Sequence, residues 1–119
     1  MSIQRCNNTE DFRRLAKRRL PAPLFHYIDG GADDEKTLRR NTSSFDEVRL
    51  IPNGLADLTG MDMSTEVLGA KIDWPVFCSP TGMTRLFHHD GERAVARAAH
   101  KLGTAYSLST LSTVSIEEV

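Results

Sequence analysis

The sequence predicts an α/β fold: the opening β-α-β part of a parallel sheet, preceded by short helices and a β-hairpin. Val76-Phe77-Cys78 is apolar at consecutive positions, the pattern of a strand buried on both faces of a parallel sheet. A helical stretch from Asp90 or Gly91 to Leu102 follows and closes at Gly103. Ala105 to Leu108 then offers a second strand, so Val76 to Leu108 reads as one unit with parallel strands and a right-handed crossover. The third observation is Ser115-Ile116-Glu117-Glu118, a capping box that starts a further helix within which the sequence stops. An incomplete domain is therefore expected, because two strands and one helix cannot cover a parallel sheet on both faces.

The elements before the sheet follow from local signals. Asn8-Thr9 can cap a helix over Glu10 to Arg19, with Phe12, Leu15 and Ala16 on one stripe and Pro21 as the stop. Its other face carries Arg13, Arg14, Lys17, Arg18 and Arg19. That face reads as solvated, with acid at the start and base at the end to suit the helix dipole, rather than as a patch for acidic lipid. Pro23 suits a first helical turn, and the apolar Leu24 to Ile28 should form a second helix ended by left-handed glycines at Gly30-Gly31. A third helix is expected from Asp33 through Arg40, ending in the polar cluster Asn41 to Ser44. Glu47 to Ile51 alternates as a short strand, Pro52-Asn53-Gly54 turns, and Ser64 to Leu68 offers its hairpin partner, closed by Gly69. In the helix after Val76-Phe77-Cys78, the stripe Ala94, Val95, Ala98 and Leu102 should face the sheet. The resulting organisation is one domain in three stretches: helices over 1–45, hairpin and connecting loop over 46–74, and the first β-α-β over 75–119.

Composition narrows the function. With 119 residues, 39% hydrophobic and 26% charged, the chain is an ordinary globular sequence, not a disordered tail. Fifteen basic against sixteen acidic residues leave no field to attract a nucleic acid. The apolar stretches fall far short of the roughly 20 residues that cross a bilayer. The first twenty residues lack the apolar core of a signal peptide, and Cys6 and Cys78 stand far apart, so a cytoplasmic setting with two free thiols is expected. No metal site is expected either: neither cysteine has a partner at ligand spacing, and the neighbours His88 and His89, beside Asp90 and Glu92, cannot easily face one ion. His26 and His100 read as surface or helix-packing residues and not as catalysts. There is no Walker sequence, Gly-x-Ser-x-Gly or Gly-x-Gly-x-x-Gly.

What remains is position. In a β/α barrel or a doubly wound sheet, ligands bind at the carboxyl ends of the strands, which here are Ser79-Pro80-Thr81-Gly82 and Ser109-Thr110-Leu111. Gly82 would let a flat ligand approach the backbone, and Ser109 or Thr110 could hydrogen-bond its edge.

Leu20-Pro21, Phe25 to Ala32, Thr37 to Asn41, Pro80 to Met83, Asp90-Gly91-Glu92 and Leu108-Ser109-Thr110 together resemble, in order and spacing, the amino-terminal part of the FMN-dependent 2-hydroxy-acid dehydrogenases and oxidases. The resemblance runs from Thr9 to Val119, and the Phe25 to Ala32 block is most similar to lactate dehydrogenases. It implies the start of a TIM (β/α)8 barrel, FMN as cofactor, and oxidation of an L-2-hydroxy acid, with L-lactate to pyruvate the leading reaction and mandelate or another hydroxy acid the alternative. By resemblance, Tyr27 holds the substrate carboxylate. Pro80, Thr81 and Gly82 lie against the flavin, Ser109 bonds its edge, and Thr110 is a weaker candidate. Leu111 stands where some relatives place tryptophan, which argues against glycolate-oxidase-like specificity. None of His26, His88, His89 and His100 matches the family's base, so no catalytic residue and no metal ligand is assigned in this segment. A barrel takes about 250 residues, so these 119 alone are not expected to turn over substrate. The resemblance further implies a homo-oligomer, with peripheral contact at the inner face of the membrane open and the electron acceptor undetermined. The rival expectation is a non-catalytic remnant acting through protein-protein binding.

Overall fold

A computed structural model describes residues 2–119, which form two compact units, one up to Ala56 and one from Asp57 to Val119. In the first unit, a 3-10 turn over Ile3–Arg5 leads to α1, Thr9–Arg19. The α1 cap is as expected: Asn8 Oδ1 accepts the Asp11 amide at 2.9 Å, and the Asp11 carboxylate returns a bond to the Asn7 amide at 3.0 Å. α2, Ala22–Asp29, packs on α1. The two helices bury Leu15 and Phe25, while Phe12 of the expected stripe stays exposed, as one partner helix covers only a narrow strip of α1. Two of the five basic residues on the basic face of α1 are paired within the unit. Arg13 pairs with Glu10 and with Asp29, the latter through two hydrogen bonds, and Arg14 pairs with Glu10 and Asp11.

Three sequence expectations fail in this unit. Gly30 is extended, with φ −83°, and Gly31 is not left-handed either. Gly31 is needed for close approach instead, since a Cβ there would lie 3.0 Å from Leu38 Cβ. α3 starts at Lys36 and runs to Ser43, not from Asp33, because Asp33 and Glu35 have positive φ and cannot enter a helix. It passes directly into a 3-10 turn, Ser44–Glu47, and Glu47 to Ile51 is no strand. Leu50 and Ile51 are both more than nine-tenths exposed. An alternating pattern becomes a strand only against a partner and a core, and this segment has neither.

The second unit opens with the hairpin, formed by a different pairing. β1, Thr65–Val67, is the expected segment, but its partner is β2, Ala70–Ile72, in antiparallel register Thr65↔Ile72, Glu66↔Lys71 and Val67↔Ala70. Leu68 and Gly69 have φ of 51° and 81°, so both central residues of the turn are left-handed, as a type I′ hairpin requires. Ile72 is buried. The Asp73 amide then bonds Gly103 O at 2.8 Å and Trp74 Nε1 bonds Leu102 O at 2.7 Å, which starts the chain beside its future partner.

The β-α-β connection is present in reduced form. Cys78 and Tyr106 make one parallel bridge, with Cys78 N to Ala105 O at 3.1 Å and Ser107 N to Cys78 O at 3.0 Å. Val76 and Phe77 are about half exposed instead of buried, and the pairing described for this segment is the single bridge at Cys78. The connecting helix is α4, Gly91–Lys101. Its buried positions are Gly91, Glu92 and Ala99, while Ala98 and Leu102 of the expected stripe are exposed. At about 100° per residue this is a rotation of roughly a quarter turn. Glu92, beside the expected apolar stripe, points inward. Ile116–Glu118 forms a 3-10 turn closed by the expected capping box, with the Ser115 amide bonded to the Glu118 carboxylate at 3.0 Å.

Candidate functional site

The two strand-end loops of the second unit meet. The Met83 amide donates to Leu111 O at 2.9 Å, and a Cβ on Gly82 would stand 2.8 Å from Leu111 Cβ, 3.3 Å from Leu111 O and 3.5 Å from Ser109 Oγ. Gly82 and Ser109 are thus brought together. The side-chain space at Gly82, however, is taken by Leu111 and is not the opening for a flat ligand that the sequence suggested. The glycine allows two loops of the chain to close on each other. Ser109 Oγ accepts the Leu111 amide at 3.1 Å, and Ser112 N bonds Ser109 O at 3.0 Å, so this loop is a self-bonded turn. With its lone pair engaged, the Ser109 hydroxyl keeps its proton to donate. Pro80, Thr81 and Thr110 are exposed, leaving their backbone accessible. Met83 has φ 54°, a left-handed conformation uncommon outside glycine, directly after the candidate loop.

A group that sequence reasoning missed stands behind these loops. Glu92 is fully buried and makes no ion pair among the described residues. Its carboxylate accepts the Thr113 amide at 2.9 Å and the Thr113 hydroxyl at 2.6 Å. Burial pushes the carboxyl pKa up, but the Thr113 hydroxyl and amide, together with the nearby Thr84 hydroxyl and Glu92's own amide, outweigh burial and hold it at about 2. The Thr84 hydroxyl lies outside full hydrogen-bond geometry and, like the buried Tyr106 hydroxyl, has no partner. Burial, with the charges of Glu92 and Cys78, raises the Tyr106 pKa. The only available signal for Glu92 was its place in the Asp90-Gly91-Glu92 block, since an acid near a helix start is ordinarily solvated.

Other candidates belong to other elements. Tyr27 belongs to α2 in the first unit and is 64% exposed. His88, His89 and Asp90 bring ligand atoms within 4.8 Å of one another, so the adjacent histidines do not diverge as expected, and their rings lie 4.3 Å apart. These groups already have partners: Asp90 pairs with Arg97 at 2.9 Å, and His88 Nδ1 accepts the Asp90 amide. Cys6 and Cys78 are both free and half-buried. A cavity of about 470 Å³ lies along α4 and is lined by Ala96, Ala99, His100, Thr104 and Tyr106 among others. None of the candidate residues lines it, so the strand-end loops and not this groove carry the functional reading. No helix among the described residues is long and apolar enough to cross a membrane.

Comparison with known proteins accords with this geometry. The family of FMN-dependent dehydrogenases matches over residues 16–119. L-lactate dehydrogenase of Vibrio parahaemolyticus serotype O3:K6 (strain RIMD 2210633) is 44% identical over 109 residues, covering 92% of this chain and 29% of that protein. Glycolate oxidase of Spinacia oleracea is 40% identical over 112 residues, covering 94% and 30%. A soluble mutant of the membrane-associated (S)-mandelate dehydrogenase of Pseudomonas putida superposes with a TM-score of 0.85 at 40% identity, covering 93% of this chain and 32% of that structure. The chain thus spans about 30% of the length of the relatives it matches. With a family match over most of its length and two joined strand-end loops behind the candidate residues, the chain belongs to the FMN-dependent dehydrogenase family, whose cofactor is FMN.

Proposed function

We propose that the protein carrying this chain oxidises an L-2-hydroxy acid to the 2-oxo acid, with L-lactate as substrate and pyruvate as product. The observation that carries this reading is the 44% identity to L-lactate dehydrogenase over 92% of the chain. Residues 75–119 are read as the first β-α-β of a TIM barrel, residues 1–45 as its leading helices and 46–74 as the hairpin and connecting loop. When bound, FMN supplies the acceptor for the hydride equivalent.

The chain's own residues bind and orient. Ser109, with its proton free, would donate to the edge of the isoalloxazine, and the exposed Pro80 and Thr81 would hold its face, with Gly82 closing the two loops on each other beside them. These groups fit a flat, polar-edged ligand: an accessible backbone, a short side chain and a poised hydroxyl at a strand end. In the first unit, Tyr27 presents a phenol that binds the substrate carboxylate without adding charge. The base that takes the hydroxyl proton is assigned to sequence outside these 119 residues. The structural likeness to (S)-mandelate dehydrogenase supports mandelate as the second substrate reading. Peripheral contact with the inner face of the membrane and a homo-oligomeric state belong to the same proposal, with the cytoplasm as the compartment.

The test is to express the complete reading frame and record the visible spectrum of the purified protein before and after anaerobic addition of L-lactate, glycolate or (S)-mandelate. Bound flavin bleached fastest by L-lactate is expected. A Tyr27→Phe variant should keep its flavin and raise KM about tenfold, the effect of losing one charge-assisted hydrogen bond. A colourless protein that takes up no FMN overturns the reading and favours a non-catalytic binding role.

A further inference from the structure

The geometry points to Glu92 as a positioning residue that clamps the loop after the second strand into the shape the flavin site needs. This rests on the flavin-site reading above. A buried carboxylate with no cationic partner is an expensive way to hold two segments together, since removal from water opposes its charge. A neutral side chain could have filled the same space. What the charge adds is strength in both bonds: the Thr113 amide and hydroxyl donate to an anion, at 2.9 Å and 2.6 Å.

The placement of the clamp gives it a role beyond stability. Glu92 is the second residue of α4, at the end of the connection that leaves the Pro80 to Met83 loop through the 3-10 turn Thr84–Leu86. Thr113 lies two residues past Leu111, whose carbonyl takes the Met83 amide and whose Cβ fills the space beside Gly82. The turn from Ser109 to Thr113 is therefore pinned at two points, by Met83 at Leu111 and by Glu92 at Thr113. Ser109 lies on the near side of the first pin. The Ser112 hydroxyl continues the same network to Val114 O at 2.7 Å, and Val114 is buried. Release of Thr113 frees the distal half of the turn, leaving the Met83–Leu111 bond, the Gly82–Leu111 contact and the turn's own bonds from the Leu111 and Ser112 amides to Ser109 to set where the Ser109 hydroxyl points. Fixing at the carboxyl ends of strands is where a parallel α/β fold places function, whereas ties at the opposite ends serve stability.

The experiment uses the protein from its complete reading frame, with Thr113→Ser, Thr113→Val and Glu92→Gln. Three quantities are read: the FMN Kd of the apoprotein by quenching of flavin fluorescence, the visible circular dichroism of bound flavin, and the Tm of the apoprotein. Thr113→Ser keeps the hydroxyl and should stay within about twofold of the unaltered Kd. Thr113→Val should weaken FMN tenfold or more and alter the flavin dichroism, the loss expected when a charge-assisted bond is removed and the carboxylate stays buried. Glu92→Gln can place its amide oxygen on the Thr113 amide and its nitrogen on the hydroxyl, so it should fall between them. A purely structural role would lower Tm while Kd and dichroism stay at the unaltered values, which overturns the proposal. Equal weakening by serine and valine overturns it too, because the hydroxyl would then not be the reason. An unaltered protein that takes up no FMN instead brings down the underlying cofactor reading, and that result is visible before any variant is made.

Discussion

Gly82→Ala is the perturbation that most directly tests how the two strand-end loops are joined. Gly82 does not have positive φ, so alanine meets no backbone penalty there and the packing effect stands alone. The new methyl would lie 2.8 Å from Leu111 Cβ, against an ordinary carbon separation of about 3.5–4.0 Å. A Cβ cannot turn away by changing rotamer, and the Leu111 backbone is held by the 2.9 Å bond from the Met83 amide. The loops must therefore part by roughly 1 Å, and overpacking of this kind costs about 1–3 kcal/mol. If that strain falls on the loop geometry that receives FMN, the Kd rises by about tenfold to a hundredfold, at 1.4 kcal/mol per factor of ten. The assay is flavin fluorescence quenching on apoprotein from the complete reading frame, with Tm measured alongside. Leu111→Gly removes the opposing Cβ, so the double variant should recover part of the loss and show a positive coupling. Unchanged Kd and Tm in Gly82→Ala, or a Leu111→Gly change that deepens the defect, would refute the reasoning.

Three further outcomes follow from the structure. Leu68→Asn should raise stability by about 0.5–1 kcal/mol, seen as a higher denaturation midpoint, because Leu68 is fully exposed in a left-handed turn position that asparagine tolerates better. Gly103→Ala should destabilise by about 2 kcal/mol or more in the same assay: φ is +66°, and the new Cβ would run into the Asp73 carboxylate and stand 3.0 Å from Asp73 Cβ. Glu92 titrates at about 2 when folded against its ordinary 4.5, so the unfolded chain binds more protons between those values and stability rises with pH there. Its contribution is complete above about pH 4.5 and is lost as pH falls through about 2. Glu92→Gln should flatten that part of an acid-denaturation profile, and an unaltered slope would show that the carboxylate is not ionised in the fold.

Local signals were legible where the chain alone satisfies them. Asn8 caps α1 because the amide it accepts is three residues away, and Ser115 with Glu118 makes a capping box for the same reason. That the segments at Val76 to Cys78 and Ala105 to Leu108 lie parallel was also readable, from the helix between them, although the structure joins them by a single bridge at Cys78 and Tyr106. The hairpin shows the limit. Ser64 to Leu68 was recognised as a strand, but Leu68-Gly69 carries a weaker turn signal than Asn-Gly, and the alternating Glu47 to Ile51 looked the better partner.

The same division runs through the candidate site. Pro80, Thr81, Gly82 and Ser109 could be named from their position at strand ends and from the family resemblance, because topology places ligands there whatever the details. Their grouping could not be read. That Gly82 makes room for Leu111, that Met83 bonds Leu111, and that Glu92 turns inward to Thr113 all depend on residues about 20 to 30 positions apart in sequence. Sequence alone determined the existence of the helices, the Asn8 cap and the Ser115–Glu118 box, the β-α-β order and the family, since these rest on neighbouring residues and on motif order. Only the tertiary structure decided which face of α4 is buried and what fills the space at Gly82, because burying a charge becomes favourable only when a distant donor arrives to meet it.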